Sequence, residues 1–329
     1  MKITVIRHIF SFVFPILLSL YLIPLLIKAA FKLNVLDVPD GKIKNHKRAV
    51  PYLGGLAIYI PFIATISVAY TFENNILWMI LGVTLLLFVG LIDDLKILKP
   101  GQKLFGQIIA VICFLKGGFS LKTKFLSDFF NLFISGFWML SVINAFNLVD
   151  VMDGLSSLLA IVSGLTFLLI AFYLKSYSIT ILLLAFLAPL FVFFFYNKPS
   201  AKIYLGDAGS MYIGGFLAAI PLLIPWNKFR YDAYYAPVII LAIPLLEVFS
   251  LVIIRTWNGI AFYNGSPHHF CLYLRRKGWK VSSILIFVGV MSTFLSTVAI
   301  LFLLGFLNFY SLILFGVLFL LIWLFVVFG

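Results

Sequence analysis

The chain has 329 residues, of which 64% are hydrophobic and only 11% are Asp, Glu, Lys or Arg. Water-soluble domains carry about 25% charged residues, so this composition excludes an ordinary soluble globule. The net charge of +13, from 24 basic and 11 acidic residues, does not point to nucleic acid, because basic loops between apolar spans are first explained by the positive-inside rule.

A bilayer-spanning helix takes about 20 apolar residues. Hydropathy and breaker residues place spans at 9–31, 51–71, 76–92, 103–116, 126–145, 154–174, 177–196, 209–225, 234–254, 281–303 and 306–328. These eleven segments account for the apolar fraction and leave no polar stretch long enough for a separate soluble domain. The predicted fold is therefore all-α, a polytopic integral membrane protein in one transmembrane domain, residues 1–329. Lys2 and Arg7 precede the first apolar run as in a signal peptide. The run from Ile9 to Ala30 is long and lacks a small-residue cleavage site, so it is expected to remain as the first span. Cys113 and Cys271 are too few for a disulfide framework, and there is no C-x-x-C pair.

Charge placement sets the expected orientation. On one side fall the basic residues of 28–48, 96–103, 198–202 and 255–280, sixteen of the 24, and on the other the remaining eight. The richer side is expected to be cytoplasmic, with the N-terminus outside. Seven of the eleven acids (Asp37, Asp40, Asp93, Asp94, Asp150, Asp153 and Asp207) fall on that same basic side. Topology asks for no acids there. A face that carries both signs suits a magnesium-dependent site for anionic phosphates.

Five segments carry the chemistry. Asp93-Asp94 closes the third span in "FVGLIDDLKILKPGQK". Adjacent helical residues point about 100° apart, so the two carboxylates are expected to have different jobs, unless they are ordinary helix-end charges. In "NAFNLVDVMDGL", Asn144, Asn147, Asp150 and Asp153 recur every third residue and would line one groove, or else form the cap of the next helix. "NKPSAKIYLGDAGSMYIGG" offers a turn at Gly206, then Asp207 at a helix start. Helix N-termini suit phosphate, and an Asp there can hold magnesium, although Asp207 or Ser210 could equally act as a cap. The loops "DVPDGKIKNHKRAVPYLGG" and "RTWNGIAFYNGSPHHFCLYLRRKGWK" supply His46, Lys47, Arg48, His268, His269, Arg275 and Arg276, with Trp257, Phe262 and Tyr263 able to border a base or sugar. For most of these, topogenic charge and interfacial aromatics are the plainer reading. Pro267-His268-His269 is the exception, since paired histidines have no topogenic value. Glu247 is the one acid expected inside a span, and is read as a structural hydrogen-bond partner of another helix.

Taken together and in this order, "HKRAVPYLGG", "GLIDD", "NAFNLVD..DGL", "GDAGSM.IG" and "PHHF" resemble the polyprenyl-phosphate N-acetylhexosamine-1-phosphate transferase superfamily, whose bacterial members include MraY and the WecA/TagO group. The first four segments look most like WecA/TagO, whereas "PHHF" with Glu247 and Ser250 leans toward MraY. The sequence departs from the family at Val151, where Gly is usual, and in a last loop with neither the triple His of MraY nor the HxHH of WecA-like proteins.

The resemblance implies transfer of a sugar-1-phosphate from a UDP-sugar to undecaprenyl phosphate, releasing UMP, at the cytoplasmic face of a bacterial plasma membrane. It implies Mg²⁺, with Mn²⁺ as an alternative, held by Asp207 helped by Asn147. Asp93 would deprotonate the lipid phosphate, and Asp94 and Asp150 would complete the catalytic carboxylates by supporting metal and phosphates. Asp153 would meet the uridine, and Lys47, His268 and His269 the pyrophosphate. The expected partners are the UDP-sugar, the polyprenyl phosphate and the bilayer, with no nucleic acid; a homodimer is compatible with the sequence. The expected donor is UDP-N-acetylglucosamine, with the muramoyl-pentapeptide nucleotide as the alternative. A transporter is the rival from another class. Transporters set polar residues mid-span in repeated halves, whereas here they cluster in loops and only Glu247 is mid-span.

Overall fold

A computed structural model describes residues 2–37, 49–70, 74–123, 126–261 and 263–328. Helices dominate: α1 (Lys2–Leu33), α2 (Gly54–Ala69), α3 (Asn74–Lys96), α4 (Pro100–Lys116), α5 (Asp128–Val149), α6 (Leu155–Tyr173), α7 (Tyr177–Asn197) and α8 (Gly206–Leu223). They are followed by α9 (Ala236–Ile240), α10 (Ala242–Trp257), α11 (Phe270–Arg276), α12 (Val281–Leu303) and α13 (Phe309–Phe328). Two antiparallel strands of two residues each, β1 (Leu36–Asp37) and β2 (Val50–Pro51), lie between α1 and α2.

Each of the eleven apolar segments is helical. Eight of the helices are long and apolar enough to cross a membrane; α2 and α4 are shorter, at 16 and 17 residues. The ninth segment is broken, with α9 and α10 meeting at 71°. Pro244 explains the break. It falls in the first turn of α10, where a missing N–H costs nothing, while its ring would clash with the Ile240 carbonyl in an unbroken helix.

α8 is the axis of the bundle. Every residue from Ala208 to Pro221 is buried, as befits a helix apolar all round. It packs on α2, α3 and α5, and glycines let the backbones touch. A Cβ on Gly90 of α3 would lie 2.3 Å from the Asp207 carbonyl oxygen, one on Gly55 of α2 2.5 Å from the Gly209 nitrogen, and one on Gly214 2.8 Å from Ile143 Cα of α5. Close approach through small residues is how membrane helices associate, since lipid supplies no hydrophobic drive between them. At the periphery, α1 and α13 present exposed Ile6, Leu17, Leu321 and Phe325 outward, a surface suited to lipid.

The chain reverses at each connection, so alternate helix ends share one side. Bonds tie these ends together: Gly54 N–H to the Tyr204 carbonyl (3.0 Å), Gly154 N–H to Asn197 (3.1 Å), and Lys103 to Asp93 (2.9 Å). This is the end that holds the base-rich loops. Because the Gly90 contact is with backbone, Gly90→Ala should displace the start of α8 and cost about 1–3 kcal/mol. A detergent thermal-unfolding curve identical to wild type would contradict that close approach.

Candidate active site

The C-terminal turn of α3 sends its two carboxylates in different directions. Asp94 reaches the start of α8: its Oδ1 accepts from the Asp207 N–H (2.8 Å) and its Oδ2 from the Ala208 N–H (3.1 Å). Leu205, the residue before the helix, provides no side-chain cap. The orphan donors of α8 are thus satisfied by an acid from another helix, which also complements the helix dipole. Gly206 has φ +72°, and a Cβ there would sit 2.7 Å from Asp94 Oδ2 and 2.8 Å from the Tyr52 carbonyl. Only glycine serves this turn, for both reasons. The expectation that these N–H groups would greet a phosphate is corrected accordingly: two of them are occupied by Asp94.

Asp93 points the other way. Its Oδ1 accepts from the Leu98 N–H (2.6 Å) and its Oδ2 meets Lys103 Nζ (2.9 Å). Lys103 stands in the first turn of α4, and helical side chains lean toward the N-terminus, which brings its ammonium back over the end of α3. The same Nζ lies 2.7 Å from Asp207 Oδ2. On the other side of Asp207, Asn147 Nδ2 donates to Oδ1 (2.6 Å) and to Ser210 Oγ (3.0 Å). Asn144, one turn back, exchanges amide bonds with Gln107 of α4 (2.9 and 3.2 Å). The two asparagines, three residues apart on α5, thus face α4 and α8 respectively.

Asp150 lies just past α5 and is partly buried. That burial, followed by the negative charges of Asp207, Asp94 and Asp153, pushes its pKa well above the usual carboxylate range. Asp153 turns away from the cluster: its Oδ2 accepts from the Ala201 N–H (3.0 Å) and holds the α7–α8 connection. Asp93, Asp94, Asp150, Asp207 and Asn147 are therefore brought together at one place, with Asp153 at its edge.

The expected residues of the last loop form a separate group. His269 Nδ1 is 2.8 Å from Glu247 Oε1 and the Phe270 N–H donates to Oε2 (3.5 Å), so Glu247 bonds the start of α11, the short helix that follows its own, as the expected structural partner of another helix. Among the described residues, no hydrogen bond or ion pair joins this pair to the aspartates. Trp257 and Tyr263 are exposed. Lys47, with His46, Arg48, Asp40 and Phe262, lies outside the described residues. The ends of the loop that carries Lys47 are nevertheless placed: Tyr52 Oη donates to Asp37 Oδ1 (2.9 Å), and the Tyr204 N–H to the Pro51 carbonyl (2.7 Å), both beside the start of α8.

Lys103 is the functional residue that sequence left unmarked. As the last basic residue before an apolar run it looks topogenic, and only its position inside a helix, one turn after Pro100, hints otherwise. Four carboxylates around one ammonium leave an excess of negative charge. The donors are hard oxygens of the kind Mg²⁺ takes. No three His, Cys, Asp or Glu residues form a metal cage among the described residues. Mg²⁺ is usually held by one or two carboxylates and completed by water and phosphate, so the donor set fits that ion.

The raised pKa of Asp150 has a thermodynamic consequence. Its unfolded value is about 3.9, so as pH rises above that value the unfolded chain loses this proton first, and stability falls until the folded group also ionises. In chelator-treated detergent solution, Asp150→Asn should unfold at a higher temperature than wild type, by a margin that widens from pH 4 upward. A margin that does not depend on pH would show that Asp150 is not strained in this way.

Known proteins align with these features. The model of glycosyl transferase family 4 matches residues 76–224, which include Asp93, Asp94, Lys103, Asn147 and Asp207. A Bacillus subtilis (strain 168) protein named "Probable undecaprenyl-phosphate N-acetylglucosaminyl 1-phosphate transferase" is 28% identical over 77% of this chain and 73% of its own. The phospho-N-acetylmuramoyl-pentapeptide-transferase of Enterococcus hirae is 32% identical over 78% and 85%. That of Streptococcus pneumoniae serotype 19F (strain G54) is 30% identical over 79% and 88%. With relatives that similar over most of both chains, and a polar centre built on the family's own segments, the chain belongs to glycosyl transferase family 4, within the polyprenyl-phosphate phospho-sugar transferase superfamily.

Proposed function

We propose that this protein transfers N-acetylglucosamine-1-phosphate from UDP-N-acetylglucosamine to undecaprenyl phosphate, releasing UMP, at the cytoplasmic face of a bacterial plasma membrane. The observation that carries this reading is Asp207, fixed at the start of α8 between Asn147 and Lys103, with Asp93 on the far side of the same ammonium. An oxygen of the lipid phosphate attacks the sugar-bearing phosphorus; the bond from that phosphorus to the oxygen bridging to UMP breaks, and UMP departs. Two anions must meet, so the site must offset their repulsion.

Asp207 and Asn147 would hold Mg²⁺, which when bound supplies positive charge between the phosphates. Lys103 can turn from the carboxylates toward an incoming phosphate, and Asp93, released from it, is then placed to take the proton of the acceptor. Asp94 keeps Asp207 in position through the backbone. Asp150 lends a further carboxyl group close by, and the uridine is assigned to Asp153 by the resemblance alone, since its Oδ2 holds the α7–α8 connection. The acceptor's tail stays in lipid while its phosphate meets a soluble nucleotide, which accounts for a polar centre at one end of a membrane bundle.

The donor is chosen from the four WecA/TagO-like segments and the Bacillus subtilis relative. The muramoyl-pentapeptide nucleotide is the second reading, favoured by the buried Glu247–His269 pair in the "PHHF" loop and by the Enterococcus and Streptococcus relatives. Purified protein with undecaprenyl phosphate and Mg²⁺ should release UMP from UDP-N-acetylglucosamine. Release from the muramoyl-pentapeptide nucleotide alone would reverse the choice of donor and leave the aspartates in place. Asp207→Asn should stay folded yet lose several kcal/mol of charge stabilisation and nearly all turnover. Half of wild-type activity at saturating Mg²⁺ would refute its role.

Orientation is checked in whole cells. Gly265 and Lys122 are both exposed and lie at opposite ends of the bundle. A cysteine at Lys122 should react with an impermeant thiol reagent in intact cells, and one at Gly265 only after the inner face is opened; labelling of Gly265→Cys from outside would invert the topology.

A further inference from the structure

The last residues of the segment that joins α10 to α11 are held by side chains of both helices. Arg255 Nε donates to Ser266 Oγ (2.8 Å), and Arg276 donates to the Pro267 carbonyl (2.9 Å). Glu247 takes two bonds: His269 Nδ1 at Oε1 (2.8 Å) and the Phe270 N–H at Oε2 (3.5 Å). Glu247 and Arg255 stand eight residues apart on α10 and grip the segment on either side of His268. Both partners of the central pair are withdrawn from water, Glu247 at 2% and His269 at 6% exposure. A carboxylate this deep in a membrane helix is costly unless it is paired, and here its partner is a loop imidazole rather than another span.

His268 differs from its neighbours. Its Nδ1 is shielded from solvent and meets no hydrogen-bond partner, whereas Ser266, Pro267, His269 and Phe270 are each bonded by a side chain of α10 or α11. Buried polar atoms are nearly always bonded, so this one calls for an explanation that the packing of the loop does not give.

We propose that Glu247 is the positioning residue of this loop: by locking His269 it makes that histidine structural, and leaves His268 as the imidazole presented to the anionic donor. This deepens the transferase reading and rests on it for the identity of the ligand. The division of labour differs from one in which the two adjacent histidines share the phosphate.

Native Cys271 provides a test that needs no activity. It is fully buried beside Glu247, and Cys113 is buried in α4 as an internal control. In detergent-purified full-length protein, Glu247→Ala and His269→Ala should make Cys271 react with a maleimide while Cys113 stays protected. Wild type and His268→Ala should leave both protected. In the UMP-release assay, Glu247→Ala and His269→Ala should each lower kcat/KM by about tenfold to a hundredfold, the usual cost of losing a group that orients a functional imidazole. The double variant should be no worse than either single one, whereas His268→Ala combined with Glu247→Ala should be. A Cys271 that stays protected in Glu247→Ala, or losses from Glu247→Ala and His269→Ala that simply add, would overturn the proposal. If wild type releases UMP from no donor, the transferase reading fails, and the cysteine result still decides whether Glu247 holds the loop.

Discussion

The structure turns on one exchange between helices: the Asp94 carboxylate of α3 accepts the first backbone N–H groups of α8. A helix start packed against its neighbours must find acceptors for its orphan donors, and Leu205 has no side-chain acceptor to offer. An acid delivered from the end of α3 meets that need and at once fixes the height, rotation and approach of α8. Gly90 and Gly206 follow from it, because the approach leaves no room for a Cβ at either position. Asp207, the second residue of α8, is placed as a by-product of the cap.

That placement creates an electrostatic problem, which Lys103 partly solves. Charges withdrawn from water are stable only when paired, and the gain rarely exceeds the cost of dehydration. One ammonium is shared between Asp93 and Asp207, Asp94 is left to the helix dipole, and Asp150 has a raised pKa and no cation beside it among the described residues. The protein therefore holds a surplus of negative charge that packing alone would not select. Such stored strain is characteristic of a functional centre.

Much of this could be read from the chain. The apolar runs located the eleven helical segments because hydropathy alone decides what can enter lipid, whereas the break in the ninth could not be singled out in advance, since Pro15, Pro24, Pro61, Pro189 and Pro221 all lie inside unbroken helices. The separate duties of Asp93 and Asp94 followed from their 100° offset on a helix. What sequence could not show were contacts between distant segments. Lys103 looked topogenic because its partners are ten and 104 residues away. Asp153 looked like its neighbours in spacing, yet it turns with the chain at Gly154 (φ +77°) and serves a different loop. The cap of α8 was sought within its own sequence, when it comes from α3.

The glycine contacts around α8 also bear on motion. A helix held backbone to backbone against three neighbours can neither slide nor roll, because any shift of a few tenths of an ångström meets main-chain atoms rather than pliable side chains. Asp207 is thus mounted on the stiffest part of the molecule. Any rearrangement that accompanies turnover must therefore leave α8 in place and be carried by parts of the protein that pack around it. The helix that carries Asp207 is then a fixed frame, and slow steps are to be looked for in its surroundings rather than in α8 itself.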